Sequence, residues 1–384
     1  MKKKKIAVVL SAEPQNGGEF QYASLVMKCI HKLSGKQFKA IAICTNKFWY
    51  RWCRQHRISF VKCDWPKVTI KQLKQNFRFP LYSRVYNTYN TVLGKLIRSK
   101  KIDVLFLTDQ FKYVPNLNVK IIAPLQDLMH RYEPDFPEVK ESYEWREACL
   151  KCQIKYADYI LTDSELGKKQ LQESYLKKRR RNPNVVSLPY VVPEHIGEKR
   201  EEPIDVPDKY IFYPAQFWKH KNHINLIKAI QLLQKSIDDI HLVLVGSEKN
   251  CFEEIETYIV ENRLENYVTI LGFVNNENIT YLYKHAVGLV MPSYFGPTNI
   301  PPLEAMALGC PVAVSNKYAM PEQVGKAGLF FNPDSPEEIA ECIRMLWTDE
   351  KLREKIIERG YKRALRWTEE DFMKRVLKIV EGCL

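Results

Sequence analysis

No window of the 384-residue chain approaches about 18 uninterrupted apolar residues, so no bilayer-spanning helix is expected. The start, Met1-Lys2-Lys3-Lys4-Lys5, carries the charge of a secretory n-region, but the apolar stretch behind it, Ile6 to Leu10, is too short for an h-region. Metal-ligand spacing is missing too. Of ten cysteines only Cys149 and Cys152 form a CxxC, with no second pair and no histidine at zinc spacing, so they read as neighbouring positions on a helix. The remaining eight (Cys29, Cys44, Cys53, Cys63, Cys251, Cys310, Cys342 and Cys383) are scattered, most of them in apolar runs, which suits reduced thiols in a cytoplasmic protein. Cys383 is the penultimate residue, which excludes a prenylation box. Internal repeats and low-complexity tracts are absent.

An apolar fraction of 45% and a charged fraction of 27% are those of a globular chain, and at about 150 residues per domain the length suggests two domains. The net charge of +14 hides two unlike halves. Residues 1–190 carry 36 basic and 16 acidic side chains, net +20, whereas residues 191–384 carry 23 and 29, net −6. The basic half calls for a polyanionic partner: nucleic acid, anionic lipid headgroups or a phosphorylated substrate.

Short aliphatic runs alternate with longer helical patterns, the mark of parallel sheets covered by helices. The first half offers strands at Lys5 to Leu10, Phe38 to Cys44, Val104 to Leu107, Val119 to Ala123, Tyr159 to Leu161 and Val185 to Leu188. After a Pro-rich polar linker, Glu198 to Pro207, the pattern restarts at Tyr210 to Tyr213, His241 to Val245, Val268 to Leu271, Gly288 to Met291, Val312 to Val314 and Leu329 to Phe331. The expected architecture is α/β, with two Rossmann-like doubly wound domains at 1–197 and 198–367. A terminal helix over 368–384, opened by the capping box Thr368/Asp371, should return to the first domain.

The most informative stretch is MPSYFGPTNIPPLEAMALGCPVAV, Met291 to Val314. An apolar strand runs into a loop of Gly, Pro, Thr and Asn and then a helix with Glu304 expected in its first turn. Backbone N–H groups and the helix dipole at such a junction suit a diphosphate. For Glu304 two readings are open: a carboxylate accepting from vicinal hydroxyls, or one that caps its own helix.

PPLEAMALGCPV closely resembles the signature of glycosyltransferase family 4, retaining enzymes of the GT-B fold (glycosyl transferases group 1), many of them in bacterial polysaccharide biosynthesis. Four further stretches resemble family features in the same order: Asn16-Gly17-Gly18 after the first strand, FYPAQFWKHKNH (Phe212 to His223), Leu244-Val245-Gly246, and Ile270-Leu271-Gly272-Phe273-Val274. The resemblance implies that Gly17 and Gly18 line the donor phosphates and that Gln216 and Lys221 stand at the basic pair. It places Phe273 and Val274 at the nucleobase, Pro297, Thr298, Asn299 and Ile300 in the diphosphate loop, and Glu304 on the ribose. Two departures matter. The first of the family's two glutamates is replaced by Gly296, which leaves Thr298 and Asn299 as the nearest groups for the sugar, and glutamine stands at 216 where arginine is common. Lys219 is a candidate to restore that charge.

The implied reaction is transfer of a hexose, with retention, from a UDP- or GDP-sugar to a lipid-diphosphate-linked or glycan acceptor. No Asp-x-Asp is present to hold a divalent metal, so Lys221, the 296–300 loop and the following helix are expected to stabilise the leaving diphosphate without metal or other cofactor. In the first domain Asp127 and His130 follow a strand where the family often places an acidic residue and a histidine facing the acceptor, and Asp127 is a candidate base. The other reading is that they are turn-forming residues at a strand end. Asp163-Ser164-Glu165 reads as a helix cap.

Three basic clusters with aromatic neighbours lie in the first half: FWYRWCRQHR (Phe48 to Arg57), Lys71 to Lys101, and KKRRR (Lys177 to Arg181). In such an enzyme they fit an anionic membrane surface and a lipid-borne acceptor at the inner face of the plasma membrane. A nucleotide-sugar epimerase of related fold is the competing enzyme class. A nucleic-acid-binding protein is not expected, since no RRM, KH or zinc-finger signature is present.

Overall fold

The computed structural model of the protein describes residues 3–35, 38–177, 182–198, 201–296 and 298–384. Its first sheet contains β1 (Lys4–Leu10), β2 (Phe38–Cys44), β3 (Phe60–Lys62), β4 (Val104–Leu107), β5 (Lys120–Leu125), β6 (Tyr159–Thr162) and β7 (Asn184–Ser187), in the order β3-β2-β1-β4-β5-β6-β7. The second contains β8 (Ile211–Pro214), β9 (Leu242–Val245), β10 (Val268–Ile270), β11 (Gly288–Met291), β12 (Val312–Ser315) and β13 (Gly328–Phe331), in the order β10-β9-β8-β11-β12-β13. All pairings are parallel.

Over six strands the two orders follow one pattern, to which the first sheet adds β7 at its edge. In each, the chain steps outward from the founding strand and then returns to that strand's other side. Direction reverses between β1 and β4 and between β8 and β11, where loops leaving adjacent carboxyl ends diverge and open a crevice. Helices cover both faces, so Ile6 to Leu10 and β4, β9 and β11 are buried throughout and read as unbroken apolar runs. The expected doubly wound α/β class is what the chain forms. The edge strand β3, with Phe60 and Val61 partly buried and Lys62 exposed, is too short to show a period in the sequence.

The chain divides into two compact units: Met1–His130 with Glu141–Pro189 and Glu370–Leu384, and Arg131–Lys140 with Tyr190–Glu369. The change at Pro189/Tyr190 precedes the expected junction at 197/198 because Ile196, on the short helix Glu194–Glu198, is buried in the second unit's core. The helix Glu369–Glu381 joins the first unit, as expected, burying Phe372, Val376, Ile379 and Val380, and Arg375 Nη1 donates to Ser187 O at 3.0 Å.

Other expectations resolve locally. Cys149 and Cys152 lie on the helix Tyr143–Tyr156 and pack with Leu73 and Tyr113, where burial pushes both thiols up. Ser164 caps the helix Glu165–Leu171, its hydroxyl accepting from Gly167 N at 3.0 Å. The two tryptophans of the first basic cluster are core residues, while Phe48 and Tyr50 are partly buried. On the helix Lys47–Gln55, Trp49, Trp52 and Cys53 are buried, and Trp49 Nε1 donates to Ala12 O at 2.7 Å. Of the KKRRR cluster, residues 178–181 lie outside the described residues.

Phe372→Ala leaves a cavity in place of a fully buried ring and is expected to cost the first unit about 3 to 5 kcal/mol, measured by urea unfolding.

Candidate active site

In the second unit the reversal joins two loops, residues 215–222 after β8 and 292–299 after β11. Asn222 adopts a left-handed conformation (φ 61°), and its side-chain amide donates to Pro292 O at 3.1 Å and Pro333 O at 2.8 Å. Tyr294 N donates to His220 O at 2.8 Å and the buried Tyr213 hydroxyl to Lys221 O at 3.0 Å. So held, Lys221 reaches across, and its Nζ donates to Asn299 Oδ1 at 3.2 Å. Gln216 Oε1 accepts from Trp218 Nε1 at 2.9 Å. Lys219 lies 3.5 Å from Glu254 and does not join Lys221.

Gly296 has φ +123°, and a Cβ there would stand 2.6 Å from Asn299 Nδ2. The space a side chain at 296 would need is held by the Asn299 amide, which also donates to Gly296 O at 3.3 Å. Asn299 precedes the helix Ile300–Leu308, and Gln323 pins its backbone, accepting from Asn299 N at 2.9 Å and donating to its carbonyl. Pro301 and Pro302 leave Ile300 as the only one of the first three helical residues with an N–H, so the helix offers an anion fewer donors than its position suggests. Pro297 lies outside the described residues; Thr298 is partly buried in the same loop.

Glu304 is in the second turn and not the first, because the helix begins only at Ile300, after the extended Asn299. It does not cap the helix. It is 6% exposed, accepts from the buried Tyr283 hydroxyl at 2.8 Å, and lies 3.8 Å from His195 Nε2. The ends of β8, β9 and β10 are drawn together through Gly246, whose N–H donates to Gly272 O at 2.9 Å and where a Cβ would meet Ala215 O at 2.1 Å. Beyond Gly272 the Phe273 ring is 79% exposed, open to stacking, while Val274 packs on the core.

A further member was invisible in the sequence. Glu138, in the segment 131–140, accepts from the His220 backbone N–H at 3.0 Å and from its ring, and from Asn250 Nδ2 at 3.2 Å. Burial alone would raise this carboxyl, but the His220 hydrogen bonds and charge outweigh it and hold Glu138 down at about 2. The 219–221 turn is thereby braced from its outer side. Nothing in the sequence links position 138 to position 220. A cavity of about 620 Å³ beside this brace includes Lys219 and Glu133 but not Lys221, Asn299 or Glu304.

In the first unit Gly17 (φ 57°) turns the chain after β1, and Gly18 opens the helix Gly18–Leu33. Glu19 follows at once. Desolvation, then the nearby Asp109 and Asp127, raise its carboxyl to about 7 against the opposing Lys112 and Arg146. Asp127 is fixed by Gln110 Nε2 at 2.8 Å and Met129 N at 2.9 Å, with Arg146 Nη1 at 3.7 Å. His130, expected to face an acceptor, is instead fully buried, with Nε2 3.1 Å from Glu147 and 3.4 Å from the Tyr175 hydroxyl, because the turn Met129–Tyr132 directs it into the core. A cavity of about 870 Å³ at this edge is lined by Trp65, Phe111, Tyr113 and Trp145 with Asp109 and Lys112. The only signal of Glu19 in the sequence is its adjacency to the glycine turn.

Residues 196–363 match the family described as glycosyl transferases group 1. The second unit is a glycosyl transferases group 1 domain. The chain is 26% identical over 267 residues, 67% of its length and 69% of the relative's, to O-antigen chain mannosyltransferase B of Escherichia coli. It is 28% identical over 232 residues, 59% of its length and 60% of the relative's, to a Campylobacter jejuni N-acetylgalactosaminyltransferase named for a diphospho-undecaprenol-linked acceptor. The crystal structure of Anabaena HepE in complex with UDP superposes with a TM-score of 0.70 at 14% identity, covering 99% of this chain and 100% of that one, a likeness of fold. The protein is a glycosyltransferase of the GT-B fold. In this group 1 domain the Asn299 amide occupies the space beside Gly296.

Asn222→Ala takes the amide from Pro292 O, while Pro333 O keeps Asn225 Nδ2 at 2.9 Å, and it forces alanine into the left-handed region; a loss of about 2 to 3 kcal/mol in the group 1 domain is expected by thermal or urea unfolding. Glu19 binds its proton more tightly folded than unfolded, so its contribution to stability is full below about 4.5 and is lost as pH rises toward about 7. Glu19→Gln should flatten that slope in unfolding curves taken at about pH 5 and about pH 8.

Proposed function

We propose that the protein transfers a hexose from a UDP- or GDP-sugar, with retention and without a metal, to a lipid-diphosphate-linked or glycan acceptor in polysaccharide biosynthesis. We further propose that it works in the cytoplasm at the inner face of the plasma membrane, with the first unit binding the acceptor. The observation that carries this reading is the Lys221 ammonium, held against Asn299 where the β8 and β11 loops meet, with the buried Glu304 carboxylate behind them.

Negative charge accumulates on the leaving nucleoside diphosphate as the anomeric carbon becomes oxocarbenium-like. A fixed cation and the positive end of the helix Ile300–Leu308 stabilise that charge as it forms. Glu304, immobilised by Tyr283, accepts from the ribose hydroxyls, and Phe273 stacks on the base. Attack from the donor's own face, with a donor phosphate oxygen helping to remove the acceptor proton, requires no protein nucleophile. Asp127 and Glu19 position the acceptor hydroxyl. The names of the O-antigen and diphospho-undecaprenol relatives support a glycan acceptor and a lipid carrier.

Nucleotide release from a panel of UDP- and GDP-sugars should proceed with chelator present, and the product's anomeric configuration should match the donor's by NMR. Loss of activity to chelator, inversion, or silence with every donor overturns the corresponding part. Lys221→Ala is expected to lower kcat by about 100-fold or more. Glu304→Gln should weaken nucleotide binding about tenfold by calorimetry while leaving the melting temperature near that of the parent.

A further inference from the structure

The helix Pro80–Tyr89 is inside out. Ser83, Asn87 and Thr88 are buried, while Leu81, Tyr82, Val85, Tyr86 and Tyr89 are 49–80% exposed. The exposed set falls at i, i+4 and i+8 (81, 85, 89) and at i, i+4 (82, 86), a single apolar stripe, which Phe79 and Val92 lengthen at 55% and 71% exposure. Its inward face is fixed by polar contacts. Asn116 Nδ2 donates to Ser83 Oγ at 3.2 Å and Pro80 O at 2.8 Å, Asn87 Nδ2 to the Tyr113 hydroxyl at 3.3 Å, and Arg98 Nε to Thr88 O at 3.1 Å. Rotating the stripe inward would break all of these, so the helix is built to show its apolar face to something other than water.

The charge around it says what. From Trp65 to Ile102 the chain has nine Lys or Arg and no Asp or Glu. Two of these cations lie over exposed rings of the stripe, Arg98 4.5 Å from the Tyr89 centroid and Arg78 5.6 Å from that of Phe79. An apolar stripe edged with tyrosine and surrounded by cations matches the boundary between anionic headgroups and acyl chains. A second copy of the chain would oppose cations to cations across an isologous contact. RNA would leave Leu81, Val85 and Val92, which have no ring to stack, without a role.

We propose that this helix docks the protein on anionic phospholipid, lying flat with Leu81, Val85 and the tyrosines in the headgroup region. This rests on the reading of a membrane-borne acceptor given above and names the surface that meets the membrane. Trp49 and Trp52 of the helix Lys47–Gln55 have no part in it, being buried.

The test is sedimentation of the full chain with vesicles of equal parts phosphatidylcholine and phosphatidylglycerol, and with phosphatidylcholine alone. Binding is expected only to the mixed vesicles, falling at least tenfold in L81N/V85N/Y86N, whose replaced side chains are exposed, with nucleotide release from the soluble donor unchanged. In a separate Val85→Trp variant the emission should shift to the blue on adding mixed vesicles. Binding by the triple variant equal to the parent's, emission that stays water-like, or a substitution that alters only self-association or RNA retention overturns the proposal. Transfer to a detergent-solubilised acceptor without vesicle binding rejects the docking helix and leaves the proposed activity standing. Vesicle binding without turnover of any donor does the reverse.

Discussion

The second unit depends on one side chain placed where the strand order reverses. A doubly wound sheet necessarily parts its loops between β8 and β11, and a parted crevice has no backbone ladder to close it. Asn222 supplies a side-chain tie beside the Tyr294–His220 backbone bond, with one amide given to two proline carbonyls from a backbone conformation that asparagine tolerates better than most residues. Neither Pro292 nor Pro333 has an N–H of its own to give to a ladder; Pro333 O also accepts from Asn225 Nδ2 at 2.9 Å, and the Pro292 carbonyl would be costly to leave unmet in this buried setting. The tie sets the path of the preceding residues, and with it the reach of Lys221.

From that constraint follows the form of the proposed anion site. The cation comes from one loop and its first partner, Asn299, from the other, so the ammonium is positioned before any ligand arrives. Asn299 can do this because position 296 has no side chain to crowd its amide. Two prolines at the start of the following helix remove donors but fix φ near its helical value, trading hydrogen bonds for rigidity. Glu304 is set deeper than a first-turn acid and held by Tyr283, which makes it a fixed acceptor and not a mobile cap.

The first unit solves a different problem at the equivalent reversal. Three carboxylates, Glu19, Asp109 and Asp127, gather with Lys112 and Arg146, and burial with mutual repulsion leaves Glu19 near neutrality in its titration. The positive excess of this half is not spread evenly over its surface. Part of the aromatic and basic sequence is consumed by the core, as at Trp49 and Trp52, while the helix Pro80–Tyr89 turns its apolar face outward. Composition reports the same residues in both places and cannot tell them apart.

The sequence by itself determined the α/β class, nearly all the strands and the C-terminal helix that joins the first unit, because each is written in short-range periodicity or contiguous motifs. It did not determine that Glu138 braces His220, that Asn299 fills the place above Gly296, that His130 turns into the core, or which basic aromatic helix is inverted. Those depend on pairs separated by up to 82 positions, or on which face of a helix meets its neighbours. Only tertiary structure decided them, since a residue's type fixes what it can bond, while burial and partner fix what it does.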